Sequence, residues 1–476
     1  MEKNPKATDD TWLGMWSSIW RTGPSWLHSE HTLARYVARP VASFLRVEYA
    51  GGLVLLAAAV VALVWANSPW SGGYEHLWNL EIGVRVGDFE LVESLRNWVN
   101  DGLMVVFFFV VGLEIKYELV SGELKDPKTV VMPIAAAVGG MAVPAAIYYA
   151  VNAGGPGAHG WGVPMATDIA FALGIVALLG KRIPSPARIF LLTLAIVDDI
   201  GAIAVIAIFY TEDLSPGWLA VAGAMTLVVG AMRIRRFRSG YLYAPAGVAL
   251  WLAVLESGIH ATIAGVIMGL MMSARPLLDR EQARAYAAQC RPSELTPTQL
   301  QKFRFLMKES VAPAERLEYT LHPWSSYVVL PVFALANAGI YLGGGVLADA
   351  VSSTVALGVV LGLVLGKSLG VTVFAWLAVR LGWGRLPDGT SRTMLVGLAT
   401  VAGVGFTVSL FISGLAFSGD ALLEEDAKVG VLGGSVVAAG LGAAILMWST
   451  REAGKDASMR SEESAEAPAE PETRLT

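Results

Sequence analysis

The sequence predicts an all-α polytopic membrane protein of about twelve transmembrane helices, two of them interrupted, with one small β-hairpin between the first two. Three observations lead there. Of 476 residues, 54% are hydrophobic and only 16% charged, with a mean hydropathy of +0.55, whereas soluble domains carry about 25% charged residues. Apolar runs of roughly 17 to 25 residues, each long enough to cross a bilayer, recur from Ala50 to the neighbourhood of Ser449. Lysine and arginine collect in every second break between those runs. An ordinary soluble enzyme is excluded, and so is a disulfide framework or thiolate cluster, because Cys290 is the one cysteine.

Residues 1–46 read as a polar and aromatic cytoplasmic arm without the compact apolar core of a cleavable signal. Trp12, Trp16 and Trp20 would share one face of an interfacial helix, with an unstructured arm as the alternative. The transmembrane domain covers 47–450, with spans at 50–66, 95–117, 129–150, 163–179, 186–210, 217–234, 240–256, 258–274, 324–341, 354–380, 393–418 and 428–449. Between the first two spans, Val84 to Leu91 alternates around Gly87-Asp88, the pattern of a hairpin, although an irregular loop also fits. The segment 275–323 is a long cytoplasmic loop, and 451–476, rich in Glu, Ala, Ser and Pro, reads as a disordered tail. With the N-terminus inside, cytoplasmic segments hold 31 of the 35 basic residues, as the positive-inside bias requires. Both termini are therefore expected in the cytoplasm.

An ionised side chain at the bilayer centre costs roughly 3 kcal/mol on insertion scales, so each one marks a functional candidate. Here they cluster. Asp198 and Asp199 lie mid-way along the fifth span, Asp168 in the fourth and Lys367 near the centre of the tenth. Neighbouring helical residues point about 100° apart, so one aspartate can face the lysine while the other faces an aqueous funnel. Hard cations such as Na⁺ want oxygen ligands, and two carboxylates with the Thr167 hydroxyl and backbone carbonyls would supply them. Such carboxyls can hold either a cation or protons, and competition between the two is exchange. If two protons leave for each monovalent cation bound, the cycle moves net charge. The alternative is an Asp–Lys pair that only locks two helices together. The fourth span opens with Pro164 and carries Thr167-Asp168, and the eleventh contains Ala402-Gly403-Val404-Gly405-Phe406-Thr407. Broken helices at corresponding positions of two halves point to a transporter binding site, where Asp168 and Lys367 could offset the charges of the half-helix ends. Close packing at the glycines is the other reading.

These residues together resemble the NhaA-type sodium/proton antiporters. The likeness rests on Trp98-Val99-Asn100-Asp101-Gly102-Leu103-Met104, Val111-Gly112-Leu113-Glu114-Ile115-Lys116, Ala166 to Gly174, Val197 to Ile203, Ser257-Gly258-Ile259-His260-Ala261-Thr262, Leu321-His322-Pro323-Trp324, Phe333 to Gly339 and Gly366-Lys367-Ser368-Leu369-Gly370. It implies inverted repeats in which spans three to five mirror ten to twelve, with the fourth and eleventh unwinding where they cross. It also implies a bacterial cytoplasmic membrane, a homodimer joined partly through the outside hairpin, and exchange of cytoplasmic Na⁺ or Li⁺ for external H⁺. By position, Asp199 corresponds to the principal cation and proton site, Asp198 to the partner of Lys367, Thr167 and Asp168 to contributors at the crossing, and Asp101 to a supporting carboxylate.

The family's response to acid maps onto Glu114, Glu118, His260, Glu318 and His322, with a hydrogen-bonded bundle histidine as the other reading of His260. Tyr319 and Glu315 depart from the pattern, standing where a histidine and a basic residue would be expected. The expected partners are membrane lipid, Na⁺, Li⁺, protons and a second copy of the chain. No cofactor, enzymatic reaction or nucleic acid is expected. The alternative is a transporter of the same fold for another cation or an organic anion, although an anion carrier would more plausibly keep the lysine and lose the paired aspartates. An intramembrane protease would place its aspartates on separate helices, and a channel would need a continuous polar pore.

Overall fold

The computed structural model describes residues 50–87, 89–125, 127–211, 214–235, 237, 240–278, 281–282, 284–285, 296–343 and 352–466. The arm with Trp12, Trp16 and Trp20, and Cys290 in the long loop, lie outside them. The chain is helical almost throughout. In order come α1 (Ala50–Ala66), α2 (Ser71–Trp78), strands β1 (Glu81–Val86) and β2 (Phe89–Ser94), then α3 (Leu95–Asn97), which passes through a π turn at Trp98–Leu103 into α4 (Met104–Val120). Next are α5 (Pro127–Asn152), a 3₁₀ stretch at Pro156–Met165, α6 (Ile169–Leu178), α7 (Ser185–Phe209), α8 (Pro216–Ile234), α9 (Gly240–Leu255) and α10 (Thr262–Met271). The rest comprises α11 (Pro297–Glu309), α12 (Pro313–Trp324), a π turn at Ser325–Val329, α13 (Leu330–Asn337), α14 (Thr354–Leu361), a π turn at Gly362–Gly366, α15 (Lys367–Arg380), α16 (Arg392–Val401), α17 (Phe406–Ala416) and α18 (Ala421–Glu466).

Described helical segments lie within each of the apolar runs, some of them joined through π turns or broken into pairs. Five helices are long and apolar enough to cross a membrane, or up to eight when each sharply bent pair counts as one span, while α9 and α10 are shorter. The two interruptions read from the sequence are present, with bends of 45° between the 3₁₀ stretch and α6 and 47° between α16 and α17. α18 continues to Glu466, past residue 451 where the sequence reading begins its disordered tail; residues 467–476 lie outside the described chain.

The hairpin extends three residues further at each end than the alternating stretch suggested. Its strands are antiparallel, with Glu81 opposite Ser94 and Val86 opposite Phe89. Gly87 opens the turn at φ +63°, where a side chain would be strained.

Lipid offers helices no hydrophobic reward for meeting, so packing and small residues bring them together. α15 lies along α5 at backbone contact. A Cβ added to Gly370 would stand 2.1 Å from the carbonyl oxygen of Gly139, and one added to Gly139 would stand 2.3 Å from that of Gly370. This approach sets the depth of α15 and therefore of Lys367. Gly370→Ala must push the two helices apart, so we expect a loss of about 1–3 kcal/mol of stability and a lower melting temperature in detergent. An unchanged melting temperature would contradict the close approach.

Candidate ion-binding site at the crossing of two broken helices

α6 begins where it does because Asp168 caps it. Asp168 has extended φ and ψ of −87° and 104°, and its Oδ1 accepts the Phe171 N–H at 3.2 Å. Its Oδ2 accepts the backbone N–H of Thr407 at 3.1 Å and the Thr407 hydroxyl at 2.7 Å, in the first turn of α17. The Asp168 N–H donates in turn to the Val404 carbonyl at 2.6 Å. One carboxylate therefore serves the positive ends of two half-helices, α6 and α17.

The facing carbonyl end is met by Thr167, whose Oγ1 lies 2.7 Å from the Ala402 carbonyl and 2.6 Å from Asp198 Oδ2. A hydroxyl has one hydrogen, so while Asp198 is ionised Thr167 can donate to only one of them at a time. Lys367 does not take the role of offsetting a half-helix end that the sequence suggested for it. Its ammonium forms a salt bridge with Asp198 Oδ2, both side chains being fully buried. A buried ammonium gains most from the nearest full charge, which outweighs the partial charge of a helix terminus. The lysine stem runs past Gly140, where an added Cβ would lie 3.7 Å from Cδ and 3.8 Å from Nζ.

Asp198 and Asp199 diverge as adjacent helical residues must. Asp198 takes Lys367 and Thr167 on one oxygen, and its Oδ1 is buried without a hydrogen-bond partner. Asp199 also has a buried, unpartnered Oδ1, and its charge is felt with those of Asp198, Glu114, Asp168 and Lys367. The site thus offers two carboxylate oxygens that no donor among the described residues occupies, beside the Thr167 hydroxyl and the backbone of two unwound segments. Among the described residues no three of His, Cys, Asp and Glu converge as a multidentate metal centre would require.

The other sequence-derived residues divide into groups. Glu114 lies within electrostatic reach of Asp199 on one side and of Glu118 and Glu318 on the other. Glu318 belongs to the turns of α12 that precede the apolar run, where burial, with Glu118 and Glu315 nearby, pushes its carboxyl up to about 7. Glu315, the departure noted above, thus adds an acid beside this group. His322 is exposed on the same helix. His260 stands apart, its Nε2 2.5 Å from the Tyr210 carbonyl that ends α7. Asp101 sits in the first π turn, with Glu93 as its charged neighbour. Thr407 was not singled out from the sequence. The signal was available, because each interruption is followed by a threonine beside a half-helix start, Thr167 in one and Thr407 in the other.

Two broken helices crossing at a buried cluster of three carboxylates and one lysine define a membrane transporter for small ions. The family described as Na+/H+ antiporter 1 matches residues 42–446, and the chain belongs to it. It is 48% identical to the Na(+)/H(+) antiporter NhaA of Rhodopirellula baltica over 424 residues, covering 86% of this chain and 94% of that one. It is 46% identical to Na(+)/H(+) antiporter NhaA 3 of Frankia alni over 411 residues, 86% of this chain and 89% of the relative. With Na(+)/H(+) antiporter NhaA 2 of Sorangium cellulosum it shares 44% identity over 474 residues, 95% and 99% of the two chains.

Proposed function

We propose that the protein extrudes cytoplasmic Na⁺ or Li⁺ in exchange for external H⁺, and that Asp199 with Asp198 forms the shared cation and proton site. The observation that carries this reading is the pair of buried oxygens, Asp198 Oδ1 and Asp199 Oδ1, which accept no hydrogen bond. A buried carboxylate left so is costly unless it binds a proton or a cation, and a group that must take one or the other exchanges them. Na⁺ bound there would draw its oxygens from the two aspartates, Thr167 and the unwound backbone. The Lys367 ammonium already claims Asp198 Oδ2, so cation and lysine compete for one carboxylate. Release of two protons per cation makes the cycle electrogenic.

In this reading the twelve apolar helices all cross the bacterial cytoplasmic membrane with both termini inside, in two inverted repeats whose interrupted members are the two broken pairs. The hairpin lies outside and joins two copies through its open edge. The acids Glu114, Glu118 and Glu318 lead from the cytoplasmic side toward Asp199, and Glu318 changes charge near neutrality: neutral below about 7, negative above. Cation attraction therefore rises with pH, the sense required of an exchanger that is quiet in acid.

Everted membrane vesicles with a preformed pH gradient, followed by a pH-sensitive dye, test the reading. Na⁺ or Li⁺ should collapse the gradient, more strongly at alkaline than at mildly acid pH, and the Asp198→Asn/Asp199→Asn variant should not respond. Silence toward Na⁺, Li⁺ and K⁺ at every pH, from protein shown to be folded and inserted, would mean that the chain keeps the fold for another substrate.

A further inference from the structure

The π turn at Trp98–Leu103 is tied on three sides. Trp98 donates its indole N–H to the Ile82 carbonyl of β1 at 2.6 Å. Asn100 and Asn337 exchange amide hydrogen bonds, of which Asn337 Nδ2 to Asn100 Oδ1 at 2.8 Å is the closer, and Asn337 also donates to the Phe333 carbonyl at 3.0 Å. The backbone carbonyl of Asp101 receives the indole N–H of Trp251, in α9, at 2.8 Å. The two indoles pack on each other with centroids 6.1 Å apart. The half-buried Asp101 carboxylate, held in the middle of this turn, accepts no hydrogen bond from the described residues.

These contacts have a common physical sense. A π turn holds an extra residue and loosens the helical ladder, which is why such turns are rare and concentrate at functional sites. Within a membrane its backbone groups must find partners inside the protein. An indole N–H in an apolar span needs an acceptor for the same reason. Trp251 and the turn solve each other's problem, and the bond is made at the residue whose side chain is charged. Hairpin, α9 and α13 thereby meet at one turn, whose Asp101 carboxylate accepts no hydrogen bond from the described residues.

We propose that Trp251 is a positioning residue for Asp101: its indole N–H, by holding the Asp101 carbonyl, fixes the π turn and with it the direction of the Asp101 carboxylate during transport. The proposal rests on the reading of Asp101 as a supporting carboxylate.

The test uses the full chain in proteoliposomes, with Trp251→Phe, Asp101→Asn and the double variant. Phenylalanine keeps an aromatic ring facing Trp98 but removes the donor together with part of the indole surface, which is why amide exchange and the KM-to-kcat split, and not melting alone, are the deciding readouts. Trp251→Phe should melt close to the parent, show amide exchange across 98–104 accelerated about five-fold, the factor for one neutral hydrogen bond, and change the Na⁺ KM and kcat in the same proportion to each other as Asp101→Asn does. In the Asp101→Asn background it should add nothing. Unchanged amide exchange, a different KM-to-kcat split, or penalties that multiply in the double variant would overturn the positioning role while leaving Asp101 its part. Parental kinetics in Asp101→Asn alone would instead overturn the reading of Asp101, and the role of Trp251 in transport with it.

Discussion

Asp199→Asn is expected to abolish Na⁺/H⁺ exchange, by about two orders of magnitude or more, while the protein folds and inserts normally. The size follows from what the substitution removes. Asparagine keeps the shape but lacks the charge, and interactions with a charged group are worth about 1.5–3 kcal/mol each, so losing both a cation ligand and a proton acceptor is enough for that factor. The normal folding follows from the surroundings: the buried Oδ1 of Asp199 accepts no hydrogen bond, so no donor among the described residues is orphaned at that oxygen when the charge goes. Melting in detergent should be unchanged or slightly raised. Substantial remaining exchange in proteoliposomes would remove Asp199 from the central role.

Lys367→Ala is expected to impair stability and activity together. The ammonium and the Asp198 carboxylate are both fully buried and paired, and removing one member of such a pair costs about 3–5 kcal/mol because the other is left without its countercharge. Alanine also vacates the space beside Gly140 that the lysine stem fills. The variant should melt well below the parent. Combining Lys367→Met with Asp198→Leu should recover most of the loss, since well-packed apolar residues replace buried ion pairs at little cost, but should not restore exchange. A Lys367→Ala protein with the parental melting temperature would show that the pair carries no stability.

The contrast between these variants separates two kinds of buried charge. Asp198 is compensated by Lys367 and Thr167, and its removal is felt by the fold. Asp199 likewise has an open oxygen but no lysine partner among the described residues, so its removal is expected to be felt by the ion and not by the fold. The same division explains Asp168, whose two oxygens are taken up by Phe171 and Thr407. Although equally buried, it has less free capacity for a cation and more of a part in holding α6 and α17 at the crossing.

Much of this was determined by the amino-acid sequence alone. Apolar runs report their own burial in lipid, and charges are so costly there that Asp168, Asp198, Asp199 and Lys367 stand out without any structure. Proline and glycine mark the breaks at Pro164 and at Gly403 and Gly405 because backbone preferences are local, and the hairpin is visible because strand alternation is local too. The tertiary structure alone decided the partners. That Asp168 caps two half-helices 239 residues apart in its bond to Thr407, that Lys367 chooses Asp198 over a helix end, and that Trp251 reaches the carbonyl of Asp101 all depend on how distant helices approach. The π turns at Trp98–Leu103, Ser325–Val329 and Gly362–Gly366 belong to the same class. A π turn is disfavoured locally and persists only where packing against other helices compensates it, so no short stretch of sequence carries its signal.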